Sequence, residues 1–273
     1  MELVVERLRA GYPGFVAVDE VDLRIPSGQV VAVVGPNGCG KSTLLRALAR
    51  LHRPESGRVL VGDADIWGLR PRQAAHRVAL LPQSPRAPEA ITVAGLVRFG
   101  RHPHQGLFRQ WSREDERIVG ESLAATGVAD LAERRLDQLS GGQRQRCWIA
   151  MTLAQRTPVV LLDEPTSALD LGHQVEVLGL ARSVAATGRT VVMVLHDLGS
   201  AARYADHLVA MRAGRIVAAG PPREVVDANL VRALYDIEAD ILRAPADGAP
   251  VVVPAPAPAT PATTVTEAEA VGA

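Results

Sequence analysis

At 273 residues, 47% hydrophobic but only 3% aromatic, the chain is long enough for one large, lobed domain packed mainly with Leu, Val and Ala. Its 30 Lys and Arg balance 30 Asp and Glu, which removes the basic excess expected of a nucleic-acid or anionic-bilayer binder. No apolar run approaches the roughly 18 residues of a membrane span, no apolar leader follows Met1, and Cys39 and Cys147 lack metal-ligand spacing, so a cytosolic chain with reduced thiols is expected, meeting membranes only through protein partners.

Residues 3–25 alternate apolar and polar positions around Gly11 and Gly14, which predicts short antiparallel strands. Tyr12 stands at that turn, where its ring can stack on a base or simply pack. An apolar strand over 30–34 then runs into Gly35-Pro36-Asn37-Gly38-Cys39-Gly40-Lys41-Ser42-Thr43 and a helix over 41–50. Strand, glycine-rich turn and helix in that order form a phosphate loop. Glycines let backbone N–H groups turn inward on phosphate, Lys41 supplies a positive charge for the outer phosphates, and the Ser42 hydroxyl is placed to ligate Mg²⁺. The alternative is a glycine turn that happens to precede Lys-Ser. In that turn Cys39 needs only to be small, and its thiol is read as incidental.

Strands are predicted over 57–62 and 78–81, the second followed by Gln83, which on its own reads as a loop residue. Residues 85–156 then read as an inserted helical lobe, with Thr92 and Ser112 as N-caps and Asp115 three residues after Ser112. Near its end, Leu139-Ser140-Gly141-Gly142-Gln143 opens an Arg-rich helix. Ser140 can cap that helix while Gly141 and Gly142 admit a phosphate to bare N–H groups, making a second anion site. One nucleotide already fills the first site, so the two are expected to face each other across a homodimer. An ordinary N-cap is the alternative.

Residues 159–162 form a continuous apolar strand ending in Asp163 and Glu164, at the end where parallel sheets bind ligands. Asp163 suits Mg²⁺ and Glu164 an attacking water; a plain helix cap is the competing reading. A helix over 173–187, a buried strand over 190–195 and His196 at its end complete an alternating pattern that predicts a parallel sheet. His196 can hold the γ-phosphate and water in line, or can be structural. Ala213-Gly214 predicts a hairpin turn, 222–235 a helix, and the Ala/Pro/Thr run from about 254 a disordered tail.

The ordered set of Tyr12, residues 35–43, Gln83, residues 139–143, Asp163-Glu164, Ser167-Ala168-Leu169-Asp170 and His196 resembles the A-loop, Walker A, Q-loop, signature, Walker B, D-loop and switch histidine of the ABC ATPase family. The resemblance covers nearly the whole chain to about residue 254. It implies an α/β P-loop NTPase fold, with a RecA-like core sheet, an N-terminal antiparallel β-subdomain and the helical lobe, over residues 2–243, followed by a C-terminal extension over 244–273. It implies ATP and Mg²⁺ as cofactors, Glu164 as general base with His196 beside it, Gln83 among the Mg²⁺ ligands, and Asp170 coupling two sites in a homodimer. The partners it implies are two transmembrane permease subunits, with an extracytoplasmic binding protein met indirectly. The chain would then sit at the cytoplasmic face of the cell membrane.

More narrowly, residues 100–108, 144–151, 169–174 and 248–254 resemble the ferric-siderophore and cobalamin importer ATPases, the siderophore branch more nearly. Import of cobalamin, haem or another chelate is the neighbouring alternative. Gly199-Ser200 stands where that branch usually has Asn-Gln, and Cys147 where it usually has another small residue; neither position touches phosphate in the family's scheme. The alternative of a different class is a soluble ABC ATPase acting on nucleic acid or the ribosome. Such chains usually carry a long coiled coil or a second cassette, and the short stretch between Gln83 and Leu139 holds no heptad run.

Overall fold

The computed structural model describes residues 1–106 and 111–256. A long antiparallel hairpin, β1 (Leu3–Tyr12) and β2 (Phe15–Ile25), is followed by β3 (Val30–Val34) and α1 (Lys41–Leu48). β4 (Ser56–Val61) returns to pair with β1, and the short β5 (Ala64–Asp65) pairs with β4, giving a four-stranded antiparallel sheet in the order β2-β1-β4-β5. α2 (Pro71–Ala75) then leads into β6 (Val78–Leu81).

The helical lobe holds α3 (Val93–Phe99), α4 (Arg113–Ala125) and α5 (Gly141–Ala154). Thr92, Ser112 and Ser140 each accept a backbone N–H from three residues ahead, so all three helices start at side-chain caps. A fully buried ion pair joins them. Arg101 donates to Asp115 at 2.9 Å and to the carbonyl of Ala154 at 2.8 Å, while the second Asp115 oxygen accepts from Ser112 Oγ at 2.7 Å.

β7 (Val159–Asp163), α6 (Leu171–Ala186), β8 (Thr190–Val194), α7 (Leu198–Tyr204), β9 (His207–Arg212) and β10 (Arg215–Gly220) complete a six-stranded sheet in the order β10-β9-β3-β8-β7-β6. All neighbours are parallel except β10, which closes a hairpin with β9 at Ala213 and Gly214. Every residue of β3, β7 and β8 is buried, because both faces are covered, which explains their unbroken apolar runs. Val31 and Val33 pack toward α1 and the antiparallel sheet; Val30, Ala32 and Val34 pack toward α6, α7 and the lobe.

Four sequence expectations change. The helix expected over 41–50 ends at Leu48, and Arg50 turns left-handed at φ 61°. The helix expected from residue 173 begins at Leu171, because Asp170 caps it by accepting the His173 N–H. The segment 222–235 divides into α8 (Pro222–Val225) and α9 (Ala228–Tyr235), since Val226 is extended and Asp227 caps the second piece. The boundary expected after residue 243 cuts through a hairpin: β11 (Ala239–Arg243) pairs with β12 (Pro250–Pro254), and Ile241 and Val252 pack against the core. The β-branched run Val251-Val252-Val253 supplies that second strand. The expected tail from about 254 lies, beyond residue 256, outside the described residues, as do Leu107 and Phe108.

Candidate active site

The strand order determines what meets at the carboxyl edge of the large sheet. β8 lies between β3 and β7, with β6 beyond β7. The segments leaving β3, β8, β7 and β6 therefore bring the glycine-rich loop, His196, Asp163 with Glu164, and Gln83 into one row. This crevice above parallel strands is where α/β folds bind ligands.

In the loop, Gly35 and Gly40 have φ of 148° and 103°, and a Cβ on either would lie 2.0 Å from a carbonyl oxygen, of Met211 and Ala17 respectively. No side chain fits at either position. Gly40 is also the N-cap of α1 and offers no side-chain acceptor, so the first N–H groups of that helix remain directed at the loop. Lys41 is buried at 5% exposure, and its ammonium donates to the carbonyls of Gly35 and Pro36 at 2.7 and 2.9 Å. Pro36, Asn37 and Gly38 form the outer arc of the loop, and Thr43 is buried in the first turn of α1. The Cys39 thiol is buried beside Lys41, and burial raises its pKa despite that neighbouring charge, so it stays protonated.

Ser42 Oγ donates to Asp163 Oδ1 at 2.9 Å across the gap between α1 and β7. Burial pushes the Asp163 carboxyl above its ordinary range; the Ser42 bond opposes this, and the neighbouring Glu164 charge adds to it. A raised folded-state pKa means the folded chain holds a proton that the unfolded chain has lost. Stability therefore falls as pH rises from the unfolded value, about 3.9, through the folded one, and stays lower at neutral pH. Asp163→Asn, which keeps an acceptor for Ser42 without the charge, is expected to raise the Tm of the nucleotide-free chain by roughly 2–4 °C, the response to about 1 kcal/mol. Thermal unfolding between pH 4 and 8 checks this: the gain should shrink toward pH 4, and a lower Tm at pH 7 would contradict it.

Glu164 is buried at 8% exposure and left-handed, with φ 53°. Ser167 holds that turn by donating its N–H and hydroxyl to the Glu164 carbonyl at 3.2 and 3.0 Å. The Glu164 carboxylate is the point of convergence: Gln83 Nε2 donates to its Oε2 at 2.5 Å, and His196 Nε2 lies 2.7 Å from the same oxygen. Gln83 is thus bonded to the carboxylate through its amide nitrogen.

Ser140 and Gln143 form a reciprocal capping box at the start of α5, at 3.2 and 3.1 Å. Gly141 is exposed, whereas Gly142 is buried against the His173 ring, so the second glycine answers to packing as well as to any ligand. Asp170 caps α6 through the His173 N–H at 2.9 Å. Among the described residues, no hydrogen bond joins residues 140–143 or Asp170 to the loop 35–43.

Tyr12 ends β1 half-exposed, its ring 4.8 Å from that of His52 and its hydroxyl accepting from Arg46 at 3.3 Å. Its phenol pKa is lowered by a hydrogen bond with Thr43, partly opposed by burial, with Arg46 adding to the lowering. Sequence reasoning missed Arg46, His52 and His173. Arg46 stands four residues after Ser42 on one helix face and His173 three residues after the cap Asp170, both legible signals, whereas His52 depends on a tertiary contact.

Residues 18–167 match the ABC transporter family. The petrobactin import ATP-binding protein FpuD of Bacillus anthracis is 50% identical over 92% of this chain and 93% of its own length. The ferric enterobactin transport ATP-binding protein FepC of Escherichia coli (strain K12) is 47% identical over 91% and 92%. Among solved structures, an inward-facing ABC transporter assigned to the metal-chelate type superposes with a TM-score of 0.81 at 30% identity, over 93% of this chain and 96% of that one. The dimeric ATP-binding cassette MJ0796 bound to ADP and Pi superposes with a TM-score of 0.71 at 26% identity, over 80% and 98%.

Proposed function

This chain belongs to the ABC transporter family as an ATP-binding, ATP-hydrolysing importer subunit, and from that premise we propose that it powers uptake of a ferric siderophore. Residues 2–254 form the ATPase domain and 255–273 a C-terminal tail. Two copies bind two ATP molecules, each between one chain's residues 35–43 and the other chain's residues 140–143. The dimeric cassette supports this arrangement, as do the two separate helix starts of one chain, at Gly40 and Ser140.

In each site the N–H groups of the loop and the Lys41 ammonium cradle the β- and γ-phosphates, while Tyr12 stacks on the adenine. The donor set suits Mg²⁺: a hydroxyl, Ser42, bonded to a buried carboxylate, Asp163, with the Gln83 amide, held by Glu164 through its nitrogen, as the further oxygen donor that would complete the set. Mg²⁺ bound there supplies charge neutralisation for the phosphates. The single observation that carries the catalytic reading is the convergence on Glu164. Gln83 and His196 both engage Oε2, which presents Oε1 to take the proton of the attacking water. His196 follows β8, the strand between β3, which leads into the loop, and β7, which ends beside Glu164, and from there it holds the γ-phosphate in line. Asp170 meets the second copy and couples the two sites.

The lobe transmits closure of the dimer to two permease subunits, which place the chain at the cytoplasmic face of the membrane. A groove of about 520 Å³, lined by Pro85, Ile91, Arg135, Asp137, Arg144 and Trp148, follows directly from Gln83 and suits that contact. Cargo reaches the permease from an extracytoplasmic binding protein that this chain meets only indirectly. The names of the two relatives, for petrobactin and ferric enterobactin, support an iron chelate as cargo.

Uptake of labelled ferric siderophores and of labelled cobalamin by cells lacking this chain tests the proposal. Ferric-siderophore uptake should be lost and should return with the wild type but not with Glu164→Gln. Loss of cobalamin uptake alone would transfer the same ATPase to a different cargo.

A further inference from the structure

The start of α5 and the start of α6 lie against each other, and His173 is the side chain between them. Its Nδ1 lies 2.8 Å from Asp170 Oδ1, the oxygen that also accepts the His173 N–H at 2.9 Å. The other edge of the ring covers Gly142: a Cβ built there would stand 2.2 Å from Cδ2, 2.5 Å from Cγ and 2.7 Å from Nε2. Capping α6 needs only the backbone N–H. The ring does more than cap, because it fills the space that any side chain at residue 142 would take.

Two neighbours strengthen the junction. Gln174 Nε2 donates to the Leu169 carbonyl at 2.9 Å, and a Leu169 methyl lies 3.9 Å from where a Cβ of Gly141 would stand. The segment so held is strained, since Ala168 has φ 58°, a left-handed conformation that a residue with a Cβ keeps only where the surroundings impose it.

We propose that His173 is a positioning residue that locks the turn 140–142 to Asp170 within one chain, so that both meet the second copy's nucleotide as one rigid body. This inference rests on the shared-site reading above. There, Ser140, Gly141 and Asp170 all act across the dimer, and small misplacements of groups that must meet a phosphate together carry large kinetic costs. The imidazole sets their separation on one side by its bulk against Gly142 and on the other by the Nδ1 contact with Asp170. With the Asp170 carboxylate as acceptor, Nδ1 is the donor of that contact, and the Cδ2–Nε2 side of the ring faces Gly142.

Three variants separate this role from simple helix capping. His173→Leu keeps bulk over Gly142 without a donor, His173→Ala removes both, and His173→Asn retains a side-chain N–H able to reach Asp170. The full-length chain is assayed for ATP hydrolysis, for binding of a fluorescent ATP analogue to the monomer, and for ATP-driven dimer formation in the Glu164→Gln background. The expected result is a roughly tenfold fall in turnover for the Leu and Ala variants, weaker dimer formation, unchanged monomer affinity, and recovery to within about threefold in the Asn variant. Unchanged turnover and dimer formation in the Leu and Ala variants would overturn the proposal. So would a parallel loss of monomer affinity, which would mark general damage, or a loss in the Asn variant as large as in Leu. If the Glu164→Gln parent itself stays monomeric in ATP, the shared-site reading falls, and this inference falls with it.

Discussion

Glu164→Gln is expected to lower steady ATP hydrolysis by about 10²–10⁴-fold, the range over which a positioned general base accelerates proton transfer. The amide keeps the size of the carboxylate, and its oxygen still accepts from Gln83 and His196, so the folded site survives. What it lacks is basicity toward water. The loop 35–43 and Lys41 lie on separate elements, so ATP affinity should change by less than about threefold, a shift below roughly 0.7 kcal/mol. Phosphate release at saturating ATP, with affinity measured in parallel, separates the two quantities. Hydrolysis within about fivefold of wild type would remove Glu164 as the base, since losing a general base costs at least about 10²-fold.

Asp115→Ala is expected to cause a large loss of stability in the lobe. The Arg101–Asp115 pair is almost solvent-free, at 3% and 1% exposure, and deleting one partner leaves a buried guanidinium with only the Ala154 carbonyl and no counter-charge. Breaking such a pair costs about 3–5 kcal/mol, which for a chain of this size lowers Tm by roughly 6–20 °C. Removing both charges in Arg101→Leu/Asp115→Leu should cost less than Asp115→Ala, because no orphaned charge remains. The pair is also pH-sensitive. Burial pushes the Asp115 carboxyl up, but the hydrogen bonds from Ser112 and Arg101 outweigh it, and the group ends below its ordinary range. A depressed folded-state pKa contributes stability that is fully present above the unfolded value, about 3.9, and is lost as pH falls through the folded one. Thermal unfolding of the three proteins at pH 7 and pH 3 checks both statements. A Tm within about 2 °C of wild type for Asp115→Ala at pH 7 would contradict them, since it corresponds to less than about 1 kcal/mol.

Much of this was legible because local signals and tertiary roles coincide. The run Val30 to Val34 before Gly35 can only be a buried strand, and Gly35 and Gly40 are required by carbonyls at 2.0 Å whatever the loop binds. Thr92, Ser112 and Ser140 announced their helices because a cap is a contact over three residues. What the sequence did not disclose depends on strand order and on distant pairings. That β8 lies between β3 and β7 is not written in any one segment, yet it is what carries His196 to Glu164. Gln83 reads as a loop residue until Glu164 is folded next to it. The second strand of the last hairpin, Pro250–Pro254, was hidden by its proline and alanine surroundings, and the burial of Arg101 by the ordinary habit of arginine to stay in water. Gly142 in the sequence suggests room for phosphate, and in the fold it is also room for His173.

We propose that each ATP is held by two copies of the chain, and the mass in solution and the bound-ATP count of Glu164→Gln with MgATP, with and without Ser140→Arg, test it. Glu164→Gln should form a dimer holding two ATP, and adding Ser140→Arg should leave a monomer that still binds one ATP at its own loop. A Glu164→Gln chain that stays monomeric while saturated with ATP, or a Ser140→Arg variant that dimerises as readily as its parent, would contradict the shared site.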